Sequence, residues 1–371
     1  MCNKLLIFSE YFLTSKGGGT QKSLKNILDS FSITSNYKII TGHKDLDNSL
    51  IINDNIKYIS NVIRTKNLKD YLKIFKLIYQ SDKLYFNSFF SFFNTIIFLP
   101  LPILLKKKII IAPRGELFIK NLNFKKKFYI FFFSFIKNFF LYHCTSDLEK
   151  NQIQKILKIK NKKKFVIIRN LIGPSAKLDY VNNNLKENKF LYLSRIDKKK
   201  NLLGLCESMN KIKNSFKIPI FIDVYGYILD KEYFKECKKY FELLKNKNIY
   251  FSYCGHIQPE NIEKILSKYV LLIHPSHNEN FGHVIIEALS IGLSVLASKD
   301  VFLSNLEENK CGYNIDFKDH KFIYKILLHY STLNSYDKEK NSDNSIKYYK
   351  KILLSEEKII SDYDLLLSTT H

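Results

Sequence analysis

Short apolar runs alternate with longer helical patterns along most of the chain. In the first half, Leu5–Ser9, Tyr37–Thr41, Ile56–Ile59, Leu84–Phe89, Ile109–Ala112 and Tyr142–Thr145 read as short strands. Helical spacing fills several of the gaps between them, beginning with Thr20 to Phe31 after the Gly17-Gly18-Gly19 turn. Phe165–Ile168 closes this series. A stretch without periodicity follows, from Arg169 through Gly173-Pro174 to Asn182-Asn183-Asn184, and its Gly, Pro and Asn mark a linker. The pattern restarts at Phe190–Leu193 and runs through Ile220–Tyr225, Ile249–Tyr253, Val270–Ile273 and Ser294–Ala297. Beyond about Leu333 the chain turns polar, then ends in a helical pattern from Ser345 to about Leu367. Strands alternating with helices predict an α/β protein whose parallel sheets are covered on both faces. The length of 371 residues suits two domains. The expected boundaries are 1–172 and 187–344, with a helical tail over 345–371 that is free to pack back on the first domain. Two such domains would face a cleft at the carboxyl ends of their sheets, where open α/β sheets bind ligands.

Two apolar segments need separate readings. Leu84 to Leu105 carries no charge, but Asn87, Ser88, Ser91, Asn94 and Thr95 interrupt it, and Pro100 and Pro102 break its end. A buried strand (Lys83–Phe90) followed by a core helix (Ser91–Leu99) is expected there rather than a bilayer span. Phe124–Phe140 is an aromatic-rich helix candidate with lysines at its start. Core packing is the expectation, and docking on a membrane surface is the alternative.

Composition narrows the partners. The formal charge is +24, yet only four of the 59 basic residues are arginine: Arg64, Arg114, Arg169 and Arg195. Nucleic-acid readers rely on arginine for bidentate contacts, and no helix-turn-helix, zinc-finger or RNP-like pattern is present, so no nucleic-acid partner is expected. Diffuse positive charge still leaves an anionic membrane surface open as a partner. Six cysteines lie scattered without C-x-x-C spacing, which reads as reduced thiols in a cytoplasmic protein.

The chemistry concentrates in the second half. Glu279 and Glu287 are eight positions apart with Phe281-Gly282 between them, after an apolar strand and at the start of an amphipathic helix. Strand, glycine turn and helix start present backbone N–H groups to a phosphate. Arg195 follows the first strand of the second domain, and Lys200 comes five residues later, so both can converge on one diphosphate. His274, His277 and His283 near Glu279 lack the spacing of a helical metal motif, and no metal or other cofactor is expected.

Ser194-Arg195-Ile196 with Lys200-Asn201-Leu202 resembles the Gly-Arg-Leu-x-x-x-Lys-Gly signature of glycosyltransferase family 4, with departures at Ser194 and Asn201. Glu279 to Leu289 resembles that family's Glu-x7-Glu motif. The resemblance implies a GT-B fold: two Rossmann-like domains, with a nucleoside-diphosphate sugar held mostly by the second. It implies transfer to an acceptor hydroxyl with retention, in a setting such as bacterial surface polysaccharide synthesis on a saccharide or lipid-linked acceptor. In that case Arg195 and Lys200 would meet the diphosphate, with Phe281, Gly282 and His283 beside it. Glu279 would contact the transferred sugar and Glu287 the ribose. Gly17 and Gly18 resemble the family's glycine-rich loop on the donor side. Ala112-Pro113-Arg114-Gly115 resembles an element in which other members carry histidine, so Arg114 is a candidate for the acceptor or cleft, with a structural salt bridge as its other reading. Two further functions stand beside transfer: a sugar-nucleotide epimerase, for which no acid/base pair is evident, and a non-catalytic binder of nucleotide sugars or polyanions. The expected location is cytoplasmic, with peripheral attachment to the inner membrane face left open.

Overall fold

The computed structural model describes residues 4–9, 19–30, 36–41, 68–91, 98–117, 124–173, 188–258, 261–277, 279, 281–299, 301, 303 and 305–368. The expected strand at Ile56–Ile59 and most of the expected linker lie outside these residues. The chain divides into two compact units, one of Met1–Gly173 with Ser355–His371, the other Pro174–Leu354.

In unit 1 the order is β1 (Lys4–Ser9), α1 (Gly19–Ser30), β2 (Asn36–Thr41), α2 (Leu68–Gln80), β3 (Lys83–Phe86), α3 (Pro100–Leu104), β4 (Lys108–Ile111), α4 (Phe124–Phe133), β5 (Phe140–Cys144), α5 (Asp147–Leu157) and β6 (Phe165–Ile167). The six strands form one parallel sheet in the order β2-β1-β3-β4-β5-β6. Alternate strand residues enter two separate cores, as the period of two requires. Leu6, Phe8, Leu84 and Phe86 pack against α2, α3, α4 and α5 on one face. Leu5, Ile7, Tyr85 and Ile110 pack on the other face, against α1 and the chain's last helix.

Unit 2 runs β7 (Lys189–Leu193), α6 (Leu202–Asn210), β8 (Ile220–Tyr225), α7 (Lys231–Leu244), β9 (Ile249–Gly255), α8 (Ile262–Leu266), β10 (Leu271–His274), α9 (His283–Ser290), β11 (Ser294–Ser298), β12 (Gly312–Ile315), α10 (His320–Ser331) and α11 (Ser335–Leu353). Its parallel sheet has the order β12-β11-β10-β7-β8-β9. β10 is buried along its whole length, which explains the apolar run of Leu271, Leu272 and Ile273.

Three elements differ from the sequence pattern. The prolines at 100 and 102 sit in the first turn of α3, where a proline lacks only an N–H that has no intrahelical partner, and most of the helix expected over Ser91–Leu99 lies outside the described residues. The aromatic helix stops at Phe133, and a 3-10 turn over Lys137–Phe139 leads into β5. The C-terminal pattern is two helices, α11 and α12 (Glu356–Leu367), which belong to different units.

α12 is held to unit 1 at both ends and in the middle. At its start Glu356 pairs with Arg169 and accepts from the Ile172 N–H at 2.9 Å. At its end the Lys83 ammonium donates to the Leu366 carbonyl at 2.8 Å. Burial, with the Lys108 charge nearby, pulls Lys83 down to about 8. Between the two clamps, Tyr363 is buried against His143.

Candidate functional site

The chain leaves β7 for β8 and β9 on one side, then returns to place β10 on the other side of β7. The loops after β7 and β10 therefore part at the point where strand order reverses, which is where open α/β sheets form a crevice. Both motifs of unit 2 lie on these loops.

After β7, Asp197 accepts from the Lys200 N–H at 3.0 Å and so closes a 3-10 turn over Lys198–Lys200. The same carboxylate lies 3.6 Å from the Arg195 guanidinium, which is 49% exposed. Asn201 takes φ 57° at the head of α6, a left-handed conformation that Asn tolerates better than most residues. Its amide donates to the Pro275 carbonyl at 3.1 Å. The departure from glycine at 201 therefore keeps the turn and adds a bond to the second loop. Another crosses where the His277 N–H donates to the Lys199 carbonyl at 3.0 Å.

After β10, a short bridge to Val301 carries Glu279. Gly282, at φ 73°, heads α9 with no side-chain cap. A left-handed residue is needed there to turn the chain into the helix, and glycine takes it without strain. The first N–H groups of α9 have no partner within the helix, so its start suits an anion. The Phe281 and His283 rings meet edge to face at 4.8 Å. Glu287 stands half-buried one turn after His283, on the same side of α9.

The two loops meet in an ion pair. The Lys200 ammonium donates to Oε2 of Glu279, with side chains only 13% and 17% exposed. Burial alone would raise the Glu279 pKa, but Lys200, then His274 and Lys199, outweigh it and hold the carboxyl well below the usual range. His274 is 2% exposed, and its Nε2 lies 3.6 Å from Oε2 of Glu279. That separation is an electrostatic contact rather than a hydrogen bond. Burial keeps His274 below its ordinary pKa, so the ring is neutral near pH 7. His274 Nε2 and Ser276 Oγ are both buried without a hydrogen-bond partner. Buried polar atoms of this kind call for an explanation, and a polar ligand at the loop junction supplies one. The site thus offers a compact cation, a carboxylate that stays ionised, and an uncapped helix start. Among the described residues no three His, Cys, Asp or Glu side chains converge as a metal site.

Residues 177–328 match the family model described as "Glycosyl transferases group 1". The matched stretch lies within unit 2 and spans most of it. No curated protein matches the sequence. Solved structures match it over nearly its whole length. HepE from Anabaena in complex with UDP-glucose is 14% identical, with a TM-score of 0.71, over 96% of this chain and 98% of the other. A glycosyltransferase from Rickettsia africae is 18% identical, with a TM-score of 0.67, over 99% of both chains. WaaG, a glycosyltransferase involved in lipopolysaccharide biosynthesis, is 14% identical, with a TM-score of 0.66, over 98% and 99%. With a parallel Rossmann-like sheet in each unit, the fold is GT-B, as the resemblance in the sequence implies.

In unit 2 the structure brings Lys200 and Glu279 together from 79 residues apart. Asp197 and Ser276 belong to no sequence motif, Asn201 enters only as a departure from the family signature, and His274 only as a metal candidate. Asp197 three residues before Lys200 is a turn-closing spacing that could have been read. The approach of Asn201 to Pro275 had no local signal. Gly226 supports the first loop from below. It has φ 151°, and a Cβ there would lie 1.8 Å from the Ser194 carbonyl oxygen. Gly226→Ala is expected to cost about 3 kcal/mol or more and to weaken nucleotide binding by displacing Arg195. Thermal melting and a nucleotide titration check this, and an unchanged melting temperature would remove Gly226 from the site's support.

In unit 1, Gly17 and Gly18 lie outside the described residues. Arg114 is turned inward. Its Nε donates to Asn87 at 2.8 Å, and its terminal nitrogens donate to Asn170 at 2.7 Å and Tyr85 at 2.8 Å. The Tyr85 hydroxyl lies 2.8 Å from Nδ1 of His143, whose Nε2 lies 3.0 Å from the Ile168 carbonyl. Because Tyr85 accepts from Arg114, it donates to Nδ1, and His143 then carries its proton on Nε2, toward Ile168. Arg114 thus starts a chain of donated hydrogen bonds through the core of unit 1. These acceptors are neutral, so the structural reading of Arg114 rests on hydrogen bonds in place of a salt bridge.

Proposed function

We propose that the protein transfers a sugar from a nucleoside-diphosphate donor to an acceptor hydroxyl with retention of anomeric configuration, and that the donor binds where the loops after β7 and β10 meet. The observation that carries this reading is the Lys200–Glu279 pair beside the uncapped start of α9, within a glycosyl transferases group 1 domain.

When the donor binds, its diphosphate takes the place of Glu279 as the main counter-charge for Lys200. As the bond between the sugar and the diphosphate lengthens, negative charge grows on the departing oxygen. Lys200, Arg195 and the N–H groups around Phe281-Gly282 stabilise it. Glu279, still ionised, accepts hydrogen bonds from the hydroxyls of the transferred sugar, and Glu287 does the same for the ribose. His283 lies beside the diphosphate. No side chain acts as a covalent nucleophile, and no metal or other cofactor enters. The acceptor is a saccharide or lipid-linked saccharide of the kind used in surface polysaccharide assembly, on the cytoplasmic side.

HepE is described with UDP-glucose, so that donor is the first to test. Purified protein incubated with a panel of nucleotide sugars is expected to release nucleoside diphosphate from one of them, and proton NMR of the product is expected to show the donor's anomeric configuration. Failure to bind or consume any donor would sink the reading, and an inverted product would sink retention alone.

A further inference from the structure

We propose that the outer face of α4, six exposed phenylalanines bordered by lysines in a stretch without acidic residues, docks on an anionic lipid bilayer surface. Core packing accounts for only one side of this helix. Tyr129 and Phe133 pack inward against Phe89 at 5.4 and 4.5 Å between ring centroids, and Phe133 stacks on Phe140 at 5.0 Å. Phe124, Phe128, Phe131, Phe132, Phe135 and Phe139, on α4 and the turn after it, are 55–83% exposed. Several of these rings touch one another, as Phe128 does Phe132 at 4.7 Å and Phe131 does Phe135 at 5.6 Å, so they form one patch. Soluble surfaces seldom expose an aromatic patch of this size without a binding role.

The charge around the patch identifies the partner. Leu117 to Ser146 contains five lysines and no Asp or Glu. On a helix of about 3.6 residues per turn, Phe124, Phe128, Phe131 and Phe132 fall within an arc of roughly 100°. Lys125 and Lys127, both exposed, fall on its two borders. Rings inserted at the headgroup level, with lysines reaching outward to lipid phosphates, are how an interfacial helix binds. A second copy of the chain would bring lysines against lysines across the same face. The neighbouring helices extend the surface. α2 and α3 share an inner core with α4, and their outward residues Leu72, Tyr79 and Leu104 are also exposed. Among the described residues no helix is long and apolar enough to cross a membrane, so the contact is with the surface.

The test is co-sedimentation with vesicles of phosphatidylcholine alone and of phosphatidylcholine mixed equally with phosphatidylglycerol, at low and high salt. Binding is expected to the mixed vesicles and to weaken at high salt. The variant Phe128→Ser/Phe131→Ser/Phe135→Ser and the variant Lys125→Glu/Lys127→Glu are each expected to lose at least about tenfold in partitioning. All these positions are exposed, so circular dichroism and nucleotide binding should match the parent. No binding at low salt, equal binding to both vesicle types, or a phenylalanine variant that binds like the parent would overturn the proposal. So would self-association by size exclusion that the phenylalanine variant abolishes. None of these readouts depends on sugar transfer, so the proposed activity and the docking face fail separately.

Discussion

Lys200→Met is expected to lower nucleotide-sugar turnover by roughly a hundredfold to a thousandfold, the usual loss when one preorganised group that stabilises developing charge is removed. The side chain is 13% exposed, so its charge acts where water screens it weakly. A second effect has to be separated from this one. Removing one partner of a buried pair leaves the other uncompensated, which costs about 3–5 kcal/mol. Here the Glu279 carboxylate is left with His274 at 3.6 Å, and protonation of that ring partly replaces the missing cation. The double variant Lys200→Met/Glu279→Gln removes both charges. Its stability is expected to return toward the parent while its turnover stays low. Melting temperature and kcat/KM, measured on both single variants and the double, form the cycle that separates the two. If turnover recovers along with stability in the double variant, the pair is structural and the donor lies elsewhere.

Unit 1 is expected to lose stability steadily as the pH falls below about 6.5, through His143. This ring is fully buried, and burial, then the Arg114 charge, pulls it down to about 3 from an ordinary value of 6.5. Its Nδ1 already accepts from Tyr85, so a second proton would break that bond and place two cations in one core. The unfolded chain faces no such barrier and takes up the proton near pH 6.5. Between the two values the unfolded state binds more protons, so stability is complete above 6.5 and falls as the pH drops toward 3. The slope is about 1.4 kcal/mol per pH unit, or about 2 kcal/mol between pH 6.5 and 5. His143→Gln can still accept from Tyr85 and donate to Ile168 but does not titrate. Hydrogen exchange of β5 amides across this range, with β10 in unit 2 as reference, is expected to show the slope in the parent and a flatter one in the variant. Equal slopes would assign the acid sensitivity to other groups. Arg114→Lys is expected to weaken β5 at every pH, because lysine cannot reach Asn87, Asn170 and Tyr85 together.

Much of the fold was legible because its signals are local. β7, β8 and β11 match the apolar runs that predicted them to within a residue at each end. The motifs were legible for the same reason: Arg195 and Lys200 share one loop, and Glu279 and Glu287 flank one turn. The misreadings have physical causes too. Pro100 and Pro102 look alike at the start and the end of a helix, so the start of α3 had no local sign. Phe124–Phe140 is apolar on both sides of its helix, so its spacing carries no direction, and the exposed ring face had no local sign. The bonds of Arg114 to Asn87, Asn170 and Tyr85 had no local sign either, because those acceptors lie 27, 56 and 29 positions away.

The sequence by itself determined the alternation of strands and helices and the chemistry within each loop, because both depend on residues a few positions apart. The tertiary structure decided which strands are neighbours. Nothing in the linear pattern places β10 beside β7 instead of β9, since each apolar run can pair with any other in a parallel sheet. That choice depends on how all the crossovers cover both faces at once. It sets the Lys200 ammonium against the Glu279 carboxylate, returns α12 to unit 1, and turns the phenylalanines of α4 outward.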